Sequence, residues 1–172
     1  MNRAEAYVRR DIHPNNSECD FRTPAYLWRW INDRFGEIEY DGACEAGVNN
    51  LATPLRLEDS WPIGATVYSN PPFDSDSIVK WFEKGEELAA NGGVHIMCLP
   101  NKISQVFFQP LIARFDEIIF LGGRVNFESP HAVKGGASMS GTMITRQGGK
   151  RVKNSPIIEG ILLKDIKKEW RE

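Results

Sequence analysis

The string ATVYSNPPF, residues 65–73, constrains this chain's fold more than any other stretch. ATVYS is rich in β-branched and aromatic residues and suits a strand. Pro71 and Pro72 lack the N–H that a sheet ladder needs, so a central strand must stop there. Residues 77–90 follow with Ile78, Trp81, Phe82 and Leu88 at helical spacing, and Asn91-Gly92-Gly93 ends them. Residues 94–99 (VHIMCL) are again an apolar run of buried-strand length. A strand, a helix and a second apolar strand in succession are the unit of a parallel sheet with helices on its faces.

The same alternation extends in both directions. Thr23-Pro24 precedes AYLWRWINDRF, in which Leu27, Trp30, Ile31 and Phe35 share a helical face. Thr23 is expected to cap that helix, Pro24 to take its first position and Gly36 to end it. A short strand is expected at 37–40, running into the turn 41–47, DGACEAG. Downstream, a helix is expected over 104–114, limited by Pro110, then a strand at 117–121. Residues 122–156, rich in Gly, Ser and basic side chains, read as irregular, and a strand at 157–163 leads into a charged helical tail. Residues 1–10 read as a short helix and 13–17 as a loop. The chain 1–172 reads as one domain.

Composition narrows the class. At 41% apolar and 26% charged, extended disorder, collagen and coiled coil are excluded. The apolar runs are too short to span a membrane, and the polar segment after Met1 lacks the apolar core of a secretory signal. Cys19, Cys44 and Cys98 are scattered and odd in number, which fits a reducing cytoplasm and argues against structural zinc. Net charge is −2. Residues 124–156, however, carry Arg124, Lys134, Arg146, Lys150, Arg151 and Lys153 against Glu128 alone, a local +5 on a remainder of −7. Such a field suits a polyanion docked at one face, or simply a solvated loop.

In a parallel sheet, ligands bind beyond the carboxyl ends of the strands, where both unusual turns fall. In the turn 70–73, two prolines remove donors, so carbonyl acceptors dominate and Asn70 adds a side-chain oxygen. Two acceptors converging on one point suit a planar amino group. They favour its pyramidalisation and stabilise the positive charge that develops when it attacks. Phe73 offers a flat face on which a base could stack, worth roughly 1–3 kcal/mol. In the turn 41–47, small residues allow close approach of a ligand, and Asp41 can accept from a ligand ammonium. Cys44 has no histidine near it in sequence, so a thiol nucleophile is not indicated. His95, inside an apolar strand, reads as a core residue, as do Trp28, Trp30, Trp61 and Trp81, with Trp81 placed to back the site.

The acidic-x-Ala-Cys-x-x-Gly turn followed by Asn-Pro-Pro-aromatic resembles the class I S-adenosylmethionine-dependent amino-methyltransferases. With Thr23-Pro24 ahead of it and Gly123-Arg124-Val125-Asn126-Phe127 behind, the chain resembles more narrowly the small phage-type, Dam-like DNA adenine-N6 methyltransferases, over about residues 20–145. The resemblance implies a Rossmann-like class I methyltransferase sheet, mostly parallel, with helices on both faces. Only 28 residues separate Asp41 from Asn70, so the second and third strand region is expected to be trimmed.

The resemblance also implies the chemistry. S-adenosylmethionine would be the cofactor, and the N6 amine of a flipped adenine in duplex DNA the acceptor. The setting would be the cytoplasm of a bacterial host, and the protein a monomer or weak dimer. Thr23 and Pro24 would lie near the methionine end of the cofactor. Asp41 and Ala43 would line its pocket, and Asp59 would contact its adenine or ribose, with Asn70 at its edge. Asn70 and the Pro71 carbonyl would hold the target amine, Pro72 would fix the turn and Phe73 would stack on the base. Arg124 would bind a DNA phosphate or shape the site. Segment 122–156 is the candidate target-recognition loop, with Arg146, Lys150, Arg151 and Lys153 as DNA contacts. Two other readings keep part of this. One moves the transfer to an RNA base or a protein glutamine amide; the other keeps the fold as a DNA-binding module without catalysis.

Overall fold

A stripe of Leu27, Trp30 and Ile31 gives helix α1 (Ala25–Phe35) its buried face, and the helix ends at Gly36. The computed structural model describes residues 22–43, 52–128, 140–149 and 156–170. In chain order these form α1, β1 (Tyr40–Asp41), β2 (Thr53–Pro54), β3 (Thr66–Ser69), α2 (Ser75–Ala90) and β4 (Val94–Pro100). They continue with α3 (Gln109–Ile112), β5 (Glu117–Gly122), β6 (Thr142–Gly148), β7 (Ile157–Leu162) and α4 (Leu163–Glu169). The strands make one seven-stranded sheet in the order β2-β1-β3-β4-β6-β5-β7. Pairs β1–β2, β1–β3, β3–β4 and β5–β7 are parallel, and β6 runs antiparallel between β4 and β5.

Alternation along the central strands sorts the core into two layers. Ile96 and Cys98 of β4, Ile144 of β6 and Ile119 and Leu121 of β5 pack with α1 and α4. Met97 and Leu99 of β4, Met143 of β6 and Ile118 of β5 pack with α2 and α3. Helices therefore cover both faces. Edge strand β2 is two residues long, so that side of the sheet is trimmed, as the short Asp41–Asn70 spacing implies.

Four local expectations need correction. Thr23 does not cap α1; Pro24 holds the cap position, because the Thr23 hydroxyl is taken by Tyr68 OH at 2.6 Å. The strand expected at 37–40 is confined to Tyr40–Asp41, with Glu39 hydrogen-bonded to Thr66 and Thr53 on the way in. The helix expected over 104–114 shrinks to the four residues of α3, since turns closed by Gln105 N→Lys102 O and Phe108 N→Gln105 O take up its first half. Residues 142–148, expected to be irregular, form β6 in the middle of the sheet. Its polar residues have long-range partners: Arg146 pairs with Glu117, and Gln147 meets His95 and Phe82. Residues 1–10, 13–17 and 44–47 lie outside the described residues. No described helix is long and apolar enough to cross a membrane.

Candidate active site

The two turns leave the sheet side by side. Asp41 of β1 stands opposite Tyr68 of β3, and Gly42 N donates to Tyr68 O at 2.7 Å. A side chain at Gly42 would strike Ser69 Oγ at 2.8 Å and the rings of Trp61 and Trp81, so glycine is required where the turn crosses β3. Trp81 thus backs the first turn. Asp41 is 3% exposed. Its Oδ1 accepts from Ala43 N at 3.3 Å, and no cation pairs with it among the described residues. Burial raises its pKa to about 6, against a smaller lowering by the Ala43 hydrogen bond. A buried carboxylate without a counter-charge is a place for a ligand cation.

The second turn is fixed at both ends. Ser69, the last residue of β3, shares a hydrogen bond with His95 Nε2 at 2.9 Å. Gln147 Nε2 donates to the Phe82 carbonyl, so its Oε1 accepts from His95 Nδ1–H, and Nε2 of the imidazole accepts the Ser69 hydroxyl. Burial drives the His95 pKa down to about 3, so the ring stays neutral and structural. A Cβ on Gly85 would lie 2.2 Å from both His95 Nδ1 and Gln147 Oε1, so only glycine lets α2 pass here. At the far end, Asp74 caps α2 by accepting from Ser77 N at 2.8 Å. Between these anchors Asn70 Oδ1 is buried, Pro71 is buried and Phe73 is half-buried. The Phe73 ring meets Phe127 edge to face. Its carbonyl accepts from the Lys102 ammonium.

The flanking motifs come together at the same place. Arg22 and Glu128 exchange backbone hydrogen bonds, N→O 2.7 and 3.0 Å. This bridge ties the Thr23-Pro24 segment to the end of Gly123-Arg124-Val125-Asn126-Phe127. Val125 and Phe127 are buried in the α1 layer, while Arg124 is exposed and makes no ion pair among the described residues. Thr23 lies beside Tyr68, one strand position before Ser69-Asn70.

Other candidates stand elsewhere. Asp59 closes a turn on Arg56, its Oδ2 accepting from Arg56 N at 2.7 Å, and its neighbours Leu57 and Trp61 pack in the same cluster as Ala43. Arg146, expected on a DNA-facing loop, lies within β6 with its side chain 12% exposed; it donates to Glu117 Oε2 at 3.0 Å and to Gly148 O. It belongs to the sheet. Lys150, Arg151 and Lys153 lie outside the described residues. Sequence reasoning passed over Lys102 and the Ser69–His95–Gln147 chain. Lys102 follows the carboxyl end of β4, so the placement rule that singled out Asp41 and Asn70 would have found it. The polar chain has no local signal, because its members come from three strands.

The model of the DNA N-6-adenine-methyltransferase (Dam) family matches residues 13–153. The chain belongs to that family. The match takes in both turns, the Thr23-Pro24 segment and the Gly123–Phe127 segment. A solved structure from Listeria monocytogenes, assigned as a class I S-adenosylmethionine-dependent methyltransferase, is 12% identical, with a TM-score of 0.48. The match covers 81% of this chain and 54% of that one, so this chain spans about half the length of the solved relative. No curated protein matches the chain significantly.

Proposed function

We propose that this chain methylates the exocyclic N6 amine of adenine in DNA, using S-adenosylmethionine. Family membership supports the reaction, and one observation carries the assignment of roles. The Asp41–Ala43 turn and the Asn70–Phe73 turn lie on adjacent strands at the same edge of the sheet. One turn offers a buried carboxylate with no counter-charge among the described residues, the other the Asn70 and Pro71 oxygens beside an aromatic ring.

The cofactor fits the first turn, since its methionine part carries an ammonium and no cation pairs with Asp41 among the described residues. Asp41 and Ala43 would hold that end, with Thr23 and Pro24 close by. Asp59, whose Oδ2 holds the Arg56 N–H, would contact the cofactor's adenosine part through its other oxygen. When bound, S-adenosylmethionine supplies an electrophilic methyl on a sulfonium sulfur.

The protein's own residues do the rest. Asn70 Oδ1 and the Pro71 carbonyl accept the two amine hydrogens and draw the nitrogen toward sp³ geometry. The positive charge that builds on nitrogen faces these oxygens, which stabilise it. Pro72 keeps the turn free of competing donors. The methylated amine sheds one proton to solvent; His95, neutral and fully engaged, is no base for it. Phe73 stacks on an adenine turned out of the duplex, which offsets part of the few kcal/mol that unstacking costs. Arg124 binds a DNA phosphate, joined by Lys150, Arg151 and Lys153 of the basic segment. The protein acts in the cytoplasm of a host bacterium, as a phage-type enzyme, and as a monomer or weak dimer.

The test offers unmethylated DNA, RNA and protein to the chain with isotope-labelled S-adenosylmethionine, followed by nucleoside and amino-acid mass spectrometry. Label in N6-methyladenine from DNA alone supports the reading. Label in RNA or in glutamine overturns the acceptor.

A further inference from the structure

We infer that Lys102 is a positioning residue that holds the Asn70–Phe73 turn in its working shape. The inference rests on the reaction proposed above. Pro71 and Pro72 contribute no N–H to the turn; the β3 ladder and the Ser69–His95 hydrogen bond anchor it before, the Asp74 cap anchors it after, and Phe127 packs on the Phe73 ring. At the turn's last residue, the Phe73 carbonyl takes its hydrogen bond from a residue distant in sequence, the Lys102 ammonium. That carbonyl belongs to the residue whose ring is to stack on the base, so the contact sets both the backbone and the ring.

Lys102 is delivered from a fixed point. Asn101 N donates to Gly141 O at 2.6 Å, tying the loop to the start of β6. Asn101 Oδ1 accepts from Ile103 N at 3.5 Å, the Lys102 carbonyl accepts from Gln105 N at 2.9 Å, and Gln109 Nε2 donates to the Ile103 carbonyl. A charge-assisted hydrogen bond from such a base is stronger than a neutral one. The ammonium acts on the carbonyl of Phe73, not on the acceptors assigned to the amine. Its work is therefore orientation, and errors of about 1 Å in orientation cost about a hundredfold in rate.

The experiment compares Lys102→Met, Lys102→Arg and the unaltered chain on DNA. Lys102→Met should lower kcat roughly 10- to 100-fold, with S-adenosylmethionine affinity unchanged by calorimetry, and Lys102→Arg, which keeps a donor, should recover most of the loss. Amide exchange over residues 70–78 should quicken about tenfold in Lys102→Met, while β4 and β6 stay protected. Unchanged kcat and unchanged exchange in Lys102→Met overturn the inference. So does a Lys102→Met variant that loses cofactor binding and β4 protection together, since that marks a general structural role. If the unaltered chain makes no N6-methyladenine, the proposed reaction fails; faster exchange over 70–78 in Lys102→Met would still support the Lys102 contact.

Discussion

Phe73 and Phe127 meet edge to face, with ring centroids 6.3 Å apart and planes 68° apart. One belongs to the turn after β3, the other to the segment after β5. Between them they join the acceptor turn to the stretch that carries Arg124. Phe127 is 4% exposed and Phe73 is half-buried, so the buried ring supports the more accessible one.

Phe127→Ala should therefore harm both stability and turnover. Removing a buried phenylalanine costs about 3–5 kcal/mol, which in a domain of this size lowers Tm on the order of 10 °C. Calorimetry measures the first effect. Methyl transfer assayed well below the new Tm measures the second, which should exceed the loss expected from unfolded protein alone.

Asp41 gives a pH dependence of definite sign. Its folded pKa is raised from 3.8 to about 6, so the folded state binds the proton more tightly than the unfolded chain does. The cofactor-free protein is then penalised as pH rises through the window between those values. The penalty is full above about pH 6 and absent below 3.8, and amounts to about 3 kcal/mol. Asp41→Asn should raise Tm at pH 8 and leave it nearly unchanged at pH 4. The same substitution should weaken S-adenosylmethionine binding. In the unaltered protein, affinity should fall as pH drops below 6, because protonation removes the charge that faces the ammonium. Thermal melts and calorimetric titrations across pH 4–8 check both.

Arg124 and Arg146 should separate DNA binding from stability. Arg124 is exposed, so Arg124→Ala should leave Tm unchanged, raise KM for DNA and reduce the salt slope of DNA binding by about one. Arg146 is paired with the buried Glu117, which Arg34 also contacts at 2.5 Å. Arg146→Ala should lower stability by about 1–3 kcal/mol, the Arg34 contact limiting the loss, with the salt slope unchanged. Fluorescence anisotropy at graded salt, beside thermal melts, distinguishes the two.

The legible parts of this chain are those whose causes are local. The stripe on α1, the stop of β3 at two prolines, the helix after it and the apolar run of β4 are all written in neighbouring residues. Their placement at one sheet edge follows from strand–helix alternation. Strand β6 was illegible because its sequence, TMITRQG, is half polar and sits in a basic, glycine-rich stretch. Arg146 and Gln147 look solvated until Glu117, His95 and Phe82 are brought beside them by the fold. Thr23 misled for the same reason: its cap role is local, but the Tyr68 hydroxyl competes from another strand and wins. Asp41, Asn70 and Phe73 stand out as candidates through turn chemistry, which is local. Lys102 does not, because its partner is a backbone carbonyl, and a carbonyl leaves no mark in a sequence.

The central claim is that Asn70 holds the amine that receives the methyl group. It is tested most directly by methyl transfer from labelled S-adenosylmethionine to unmethylated DNA, with Asn70→Ala alongside and nucleoside mass spectrometry as the readout. The expected result is N6-methyladenine with the unaltered chain and a loss of roughly 10²–10³-fold in Asn70→Ala, with cofactor affinity largely retained. Turnover by Asn70→Ala equal to that of the unaltered chain would contradict the account.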